Sequence, residues 1–358
     1  MNPMRSALRI LRDLGGPQPI DRTQDRVFPP DFSGPIFVWD IDKTYLATEI
    51  HNWRGLLAVP FELAVDKREI AGTAALLGAI RRGHAPDGLT AQNPIYFVSA
   101  SPPQLRGVIQ RKMLIDGVEF DGISFKDQLG ILMRGQFGKL REQIGYKLAA
   151  LLLNRKDLPD DADEYLFGDD SESDATIYAL YGDICAGRVR GDALLRILLR
   201  LGVRREDADR ITNLAEALPV RERVKAAFIN LEVRKNPLRF EGYGRTYPCF
   251  DSIQSSLVLY EKGLIPARGV IEVTQEMATH FHRRTTSLVR SVADGLIRGL
   301  FSGQTIEEIW PLLQRRGLAP GFFKVDHDSL PAAVQHERAD GFMTPSELRH
   351  GTKTTETE

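Results

Sequence analysis

The chain has 358 residues and carries 47 Lys and Arg against 48 Asp and Glu, a formal net charge of −1. With 42% hydrophobic residues it can bury a large core, and its length predicts two domains or one domain with a long extension. The near-neutral charge argues against bulk electrostatic binding of nucleic acid, for which a domain is usually strongly basic. Two cysteines, Cys185 and Cys249, exclude a disulfide framework and favour a reducing compartment, so we expect a cytoplasmic protein.

The N-terminal region, residues 1–31, predicts a helix followed by a linker. The opening string MNPMRSALRILRDLGG alternates Arg with Leu and Ile, which is typical of a short amphipathic helix and not of a signal peptide. Residues 17–34 are rich in Pro, Asp and Gly, which favours an irregular linker. No apolar run approaches the ~20 residues that a membrane-spanning helix needs.

Residues 32–187 alternate short apolar strands with helices. This alternation predicts a doubly wound α/β fold with a parallel sheet. In such a sheet, ligands bind outside the carboxyl ends of the strands. The predicted strands are 35–39, 95–98, 122–125 and 165–167, and the predicted helices are 66–83, one beginning after Pro102 and Pro103, and 137–154.

Residues 188–325 are predicted to form a mostly α-helical C-terminal extension whose role the sequence leaves open. The apolar spacing predicts helices over 191–201, 205–217, 219–235 and 273–300, whereas 238–252 has no clear pattern. Residues 326–358 are polar, and we expect this tail to be partly disordered.

Four groups of polar residues accompany the predicted strands, and they indicate where the chemistry lies. Two carboxylates two residues apart on an extended chain point in the same direction, so both can contact one ligand. In chain order the groups are Asp40, Asp42 and Thr44 after the first strand; Ser99 and Ser101 after the second; Lys147 on the third helix; and Asp169, Asp170 and Asp174 after the fourth strand.

In this order the groups resemble the four motifs of the haloacid-dehalogenase (HAD) superfamily of phosphotransferases, which use an aspartate nucleophile. The strings DIDKTYLAT, YFVSASPPQLR and FGDDSESDATIY are similar to the catalytic domain of the actin-patch type of phosphatidate phosphatase, over roughly residues 32–186. Lys43 and Pro103 depart from that pattern, where the family usually has an acid and an aromatic residue. The departures bear on substrate detail and leave the reaction class unchanged.

The resemblance implies a HAD-like, Rossmannoid, Mg²⁺-dependent phosphatase that hydrolyses a phosphate monoester through an aspartyl-phosphate. Asp40 would be the nucleophile and Asp42 the general acid and base. The metal would bind the carboxylates of Asp40 and Asp169 and the backbone carbonyl of Asp42, since Mg²⁺ prefers oxygen ligands.

The remaining residues would hold the substrate or support the metal. Ser99 and Lys147 would contact the phosphoryl oxygens, although Ser101 is an alternative to Ser99 and Lys139 an alternative to Lys147. We expect Thr44 and Ser101 to contact substrate. Asp170 and Asp174 would orient metal-bound waters or Lys147 from just outside the site, and an N-cap is the competing interpretation for Asp170.

The substrate and partners are less defined by the sequence. By resemblance the phosphate ester is phosphatidate or a related lipid phosphate; the alternatives are a soluble small-molecule phosphatase and a non-catalytic HAD-fold binding or regulatory protein. Residues 186–235 hold 12 Lys and Arg against 7 Asp and Glu. This surplus is typical of a solvated helical face, and a peripheral contact with anionic lipid headgroups is the sharper hypothesis. The oligomeric state is not indicated.

Overall fold

A computed structural model describes residues 10–11, 20–46, 69–84, 92–101, 103–126, 139–171, 173–282 and 284–321. Within these ranges the chain forms eight strands: β1 (Ile10–Leu11), β2 (Ile20–Gln24), β3 (Pro35–Asp40), β4 (Ile95–Ser99), β5 (Gly122–Lys126), β6 (Asp163–Asp169), β7 (Val224–Asn230) and β8 (Thr246–Cys249). The same ranges contain ten α-helices: α1 (Thr73–Arg82), α2 (Arg106–Ile115), α3 (Lys139–Arg155), α4 (Asp174–Cys185), α5 (Gly191–Arg200), α6 (Arg205–Glu216), α7 (Ser252–Glu261), α8 (Ala267–Thr279), α9 (Thr285–Ile297) and α10 (Gly303–Arg315).

All eight strands belong to one sheet, in the order β1-β2-β5-β4-β3-β6-β7-β8. The six strands from β5 to β8 in that order are parallel, while β1 and β2 add to the edge in antiparallel fashion. The chain runs outward from β3 through β4 to β5, then returns to β6 on the other side of β3. This reversal creates a crevice at the carboxyl ends of β3 and β6, where doubly wound sheets bind their ligands.

Helices cover both faces of the sheet, so the parallel strands are buried on both sides. Alternate residues of β3 point to opposite faces, with Phe37 and Trp39 in one hydrophobic cluster and Ile36 and Val38 in the other. Helices α1, α2 and α7 to α10 contribute to the first cluster, and α3 to α6 contribute to the second. The prediction of an α/β fold with a mostly parallel sheet is confirmed.

Stacked aromatic rings reinforce the first face directly behind the crevice. Trp39 stacks on Phe167 with ring centroids 4.0 Å apart, and Phe167 stacks on Phe228 at 4.5 Å. The next strand continues the row with Tyr247, 5.5 Å from Phe228. Because each ring comes from a neighbouring strand, the row ties β3, β6, β7 and β8 together just before their carboxyl ends.

The helix predicted over 219–235 is wrong, because residues Val224–Asn230 form strand β7. This strand pairs in parallel with β6, and β8 pairs with β7, so the sheet continues into the predicted helical extension. Apolar residues at intervals of four, four and three make the segment resemble a helix. Five of the seven residues of β7 are buried, and their side chains point to both faces of the sheet. Periodicity alone cannot distinguish such a short apolar run from a helix.

Two further predictions differ from the structure. The single helix predicted over 273–300 is two helices, because α8 ends at Thr279 and His282 has a positive φ of 49°, which a right-handed helix cannot accommodate. At the N-terminus, Ile10–Leu11 form a strand rather than a helix, and β2 lies inside the predicted linker. The rest of residues 1–19 and the tail from 326 onward lie outside the described residues.

None of the helices in the described ranges is both long enough and apolar enough to cross a bilayer.

Candidate active site

The sheet brings together the polar residues that end its central strands. Asp40 is the last residue of β3, Asp169 the last of β6 and Ser99 the last of β4. Because β3 pairs with both β4 and β6, these ends lie side by side at the crevice. The prediction that residues after these strands share one edge of the sheet therefore agrees with the topology.

Three buried carboxylates form a group that could hold a metal ion. Asp40, Asp169 and Asp174 are at most 1% exposed, and one oxygen from each lies within 4.8 Å of the others. Asp40 and Asp169 are in the predicted metal set, whereas Asp174 is predicted to act from just outside it. Asp42 contributes no carboxylate to this group; its predicted contribution is a backbone carbonyl.

Gly168 makes the approach of Asp174 possible. A Cβ atom built on Gly168 would lie 2.4 Å from Asp174 Oδ2, far inside any normal contact distance. The same Oδ2 accepts a hydrogen bond from the backbone N–H of Asp169 at 3.2 Å. Gly168 is therefore required by the close packing between the end of β6 and the start of α4.

Lys147 contacts two of the three acids. Its Nζ lies 2.9 Å from Asp40 Oδ1 and donates a hydrogen bond to Asp174 Oδ1 at 2.6 Å, and the side chain is 2% exposed. The three carboxylates and this ammonium together carry a formal charge of −2, and buried charge is costly unless it is compensated. A divalent cation would balance that charge. For Lys139 only the backbone is described, so the comparison with the alternative lysine rests on Lys147 alone.

Asp42 faces the serines that follow β4. Its Oδ2 accepts hydrogen bonds from Ser101 Oγ at 2.9 Å and from Ser99 Oγ at 3.3 Å, while Ser99 Oγ accepts one from the backbone N–H of Ser101 at 3.0 Å. Thr44 Oγ1 lies 3.5 Å from Asp40 Oδ2. Both serines are buried beside Asp42, so the choice between them as the phosphate contact stays a prediction.

The turn that carries Asp42 is fixed by contacts that the sequence did not indicate. Lys43 has a φ of 59°, the left-handed conformation that a tight turn requires, and its carbonyl accepts a hydrogen bond from Asn230 Nδ2 at 3.2 Å. Asn230 ends β7, a segment whose apolar spacing predicts a helix, so the sequence pattern does not indicate its role. Downstream, the Tyr45 hydroxyl donates to the Asp116 carboxylate.

Asp170 holds the loop that follows β7. Its two carboxylate oxygens accept hydrogen bonds from the backbone N–H groups of Val233 at 2.9 Å and Lys235 at 2.8 Å, so it holds the loop after β7. The residue that precedes α4 is Ser173, which makes the N-cap interpretation of Asp170 wrong. The group of three acids does not include Asp170, and its contact with metal-bound water stays a prediction.

Two buried tyrosines lie next to the charged residues of the site and make its surroundings less polar than water. Burial raises the pKa of Tyr178 well above its usual value of 10.0, and the Asp174 charge adds to the effect. Its hydroxyl donates to the Phe167 carbonyl at 2.8 Å. Burial likewise raises the pKa of Tyr146, the neighbour of Lys147. Both rings therefore stay neutral, and charge interactions above them are less screened than in water.

Comparison of this chain with protein-family models, with curated proteins and with solved structures found no match.

Proposed function

We propose that this protein is a Mg²⁺-dependent phosphatase of the HAD type that hydrolyses a phosphate monoester through an aspartyl-phosphate. The observation that carries the proposal is the convergence of Asp40, Asp169 and Asp174 with Lys147 at the crevice between β3 and β6. These acids and the ammonium are buried at the point where the doubly wound sheet reverses. Such an arrangement suits an anionic ligand that a cation bridges to the acids.

The donor set fits Mg²⁺. All three grouped side chains offer carboxylate oxygen, which this hard cation prefers, and it usually takes only one or two carboxylates while keeping several waters. Asp40 and Asp169 would hold the ion, with the Asp42 carbonyl as the remaining protein ligand that the motif resemblance implies. When bound, the ion supplies positive charge to the phosphoryl oxygens.

Asp40 is suited to attack phosphorus. In the first step its carboxylate oxygen bonds to phosphorus while the bond to the ester oxygen breaks, and Asp42 gives a proton to that leaving oxygen. In the second step water attacks the aspartyl-phosphate, Asp42 takes the water's proton, and phosphate leaves with Asp40 restored. The hydrogen bonds from Ser99 and Ser101 orient Asp42 for both transfers.

Lys147 stabilises the charge that develops on the phosphoryl oxygens. Its Nζ is within 3 Å of the proposed nucleophile, and Asp174 fixes its position through the 2.6 Å hydrogen bond. A cation that is already in place costs no reorganisation when the transition state forms. The phosphate ester favoured by the motif resemblance is a lipid phosphate such as phosphatidate.

The deciding experiment measures phosphate release from a generic aryl phosphate and from phosphatidate in micelles, with and without Mg²⁺. We expect Mg²⁺-dependent release that is abolished in Asp40→Asn, with Asp209→Asn, at a half-exposed position of α6, as the matched control. Activity retained by Asp40→Asn overturns the nucleophile assignment. No release from lipid, sugar or nucleotide phosphates, together with a stable protein partner, would favour a non-catalytic binding protein instead.

A further inference from the structure

The loop after β7, residues 231–240, projects beside the candidate active site and has an unusual surface. We call it the β7 loop. Val233 is 49% exposed and Leu238 is 63% exposed, although both are large apolar side chains. Between and after them stand Arg234, Lys235 and Arg239. Isolated exposed apolar residues are ordinary, but two of them within six residues, with three cations beside them, form a mixed apolar and basic tip.

The β7 loop is held in one shape at the site. Its first residue follows Asn230, whose strand position pairs with Asp169, and its backbone is tied to Asp170 at Val233 and Lys235. The Asn236 side chain accepts a hydrogen bond from the Leu238 backbone N–H at 3.0 Å. The apolar side chains are therefore presented outward by an ordered backbone rather than left exposed by a loose one.

The two ends of the loop are anchored by apolar packing. Leu231 is 2% exposed and Phe240 is 7% exposed, and both belong to the hydrophobic cluster on the α3 to α6 face of the sheet. The loop thus buries the apolar residues at its two ends and exposes those in between. This contrast argues that the exposed tip does not arise from poor packing of the whole segment.

The cations of the loop differ from most arginines of the fold. Within the described part of the chain, Arg234, Lys235 and Arg239 form no side-chain hydrogen bond or ion pair. By contrast Arg188 pairs with two acids and Arg155 is bound to Glu164 deep in the core. With Glu232 as its one acid, the loop carries three positive charges against one negative charge, a net charge of +2.

We propose that the β7 loop docks on an anionic lipid bilayer. Val233 and Leu238 would enter the boundary between headgroups and acyl chains, while Arg234, Lys235 and Arg239 meet the headgroup phosphates. A nucleic acid would use the cations but would gain nothing from the apolar pair, so the mixed tip favours a membrane surface. The proposal rests on the proposed function only in that docking places the bilayer beside a site for phosphate esters.

The test measures co-sedimentation of the full chain with vesicles of phosphatidylcholine, with and without phosphatidylserine, in the presence of EDTA so that no turnover occurs. We expect binding that requires the anionic lipid. Lys235→Gln with Arg239→Gln should weaken it about 30-fold, because each basic residue near such a surface contributes about a fivefold increase in binding. Arg315→Gln with Arg316→Gln at the exposed end of α10 removes the same charge and should change binding less than twofold.

A second pair of variants tests the apolar component. Val233→Ser with Leu238→Ser should weaken vesicle binding by at least about fivefold, whereas Leu114→Ser with Ile115→Ser at the far end of α2 should not. All four double variants should hydrolyse a soluble aryl phosphate like the wild type. That assay separates the two proposals: a chain that binds vesicles but hydrolyses nothing contradicts only the proposed function.

Three results would overturn the docking proposal. These are vesicle binding unchanged in the β7 loop variants, binding equal for neutral and anionic vesicles, and loss of binding in the α10 control as large as in the loop. Competition by inorganic phosphate at millimolar concentration would show that the cations recognise free phosphate rather than a lipid surface. Binding of a polyanion such as heparin without binding of vesicles would assign the loop to another class of partner.

Discussion

Lys147 Nζ lies 2.9 Å from Asp40 Oδ1, so the carboxylate that ends the central strand meets an ammonium from the helix that covers one face of the sheet. Both side chains are almost fully buried. The contact joins a strand end to the middle of α3 and fixes the distance between the proposed nucleophile and the cation that would stabilise its phosphoryl group. The ammonium also limits the repulsion among the buried acids.

Replacement of this lysine should therefore affect both activity and stability. We expect Lys147→Met to lower kcat/KM about 100- to 1,000-fold, as loss of one preorganised charge usually does. The free energy of unfolding should fall by about 3 kcal/mol, because two buried carboxylates lose the ammonium that they share. Steady-state kinetics and denaturant unfolding measure the two effects. Lys156→Met, at an exposed position just beyond the same helix, should leave both values unchanged.

The close approach at Gly168 predicts an effect of a single methyl group. Gly168→Ala should push Asp174 away from the end of β6, weaken Mg²⁺ binding by an order of magnitude or more, and destabilise the fold by about 1–3 kcal/mol. Metal titration followed by calorimetry measures the first effect. In Gly107→Ala the new Cβ atom meets nothing within 4 Å, and a helical alanine should instead stabilise by about 0.5–1 kcal/mol. Equal effects at both positions would contradict the packing argument.

Metal binding itself should be visible without any substrate. Mg²⁺ at a concentration 100 times its Kd should stabilise the folded state by about 2.7 kcal/mol, through mass action on a site that the unfolded chain lacks. Thermal unfolding in Mg²⁺ and in EDTA measures the shift. Asp169→Asn should lose it, whereas Asp209→Asn should keep it. A shift of the same size in both variants would place the ion elsewhere.

Glu69 predicts a pH dependence of stability. Burial and the neighbouring charges of Asp116 and Glu276 raise the pKa of its carboxyl from 4.5 to about 7, which means that the folded protein holds this proton more tightly than the unfolded one. The corresponding stability is fully present below pH 4.5 and is lost as pH rises through about 7. Thermal unfolding across this range should show the loss in the wild type and a flatter profile in Glu69→Gln.

The control for this pH experiment is Glu206→Gln, at an exposed position in the first turn of α6. It should keep the wild-type profile. The cluster around Glu69 also contains Asp116, which accepts the Tyr45 hydroxyl from the turn after β3. Loss of stability above neutral pH should therefore be accompanied by lower hydrogen-exchange protection factors in residues 41–46. Equal slopes for the wild type and Glu69→Gln would refute the assignment.

The first half of the fold could be predicted because its signals are local. The strand ending at Asp40 is an apolar run buried on both faces, and its end is marked by the abrupt change to acidic residues. The same holds for the strand ending at Asp169. Once strands and helices alternate, parallel topology places these ends at one edge, so the meeting of the two acids follows from the sequence pattern.

The rest depended on contacts between distant parts of the chain. Strand β7 has apolar residues at intervals that also suit a helix, and only pairing with β6 makes it a strand. Asn230 acquires its role from the carbonyl of Lys43, far away in sequence. Asp170 follows Asp169, and this position predicts a place beside the acidic site. Its partners are backbone N–H groups, which no side-chain motif records.

Consecutive residues at the end of β6 thus serve two different tasks. Asp169 belongs to the group of acids, and Asp170 ties down the β7 loop, so one peptide unit joins the proposed chemistry to the exposed surface. A cation that draws in the Asp169 carboxylate would also shift Asp170 and the loop backbone that Asp170 holds, because the two residues share one peptide bond. A spectroscopic label at Val233 would therefore act as a remote reporter of ion occupancy.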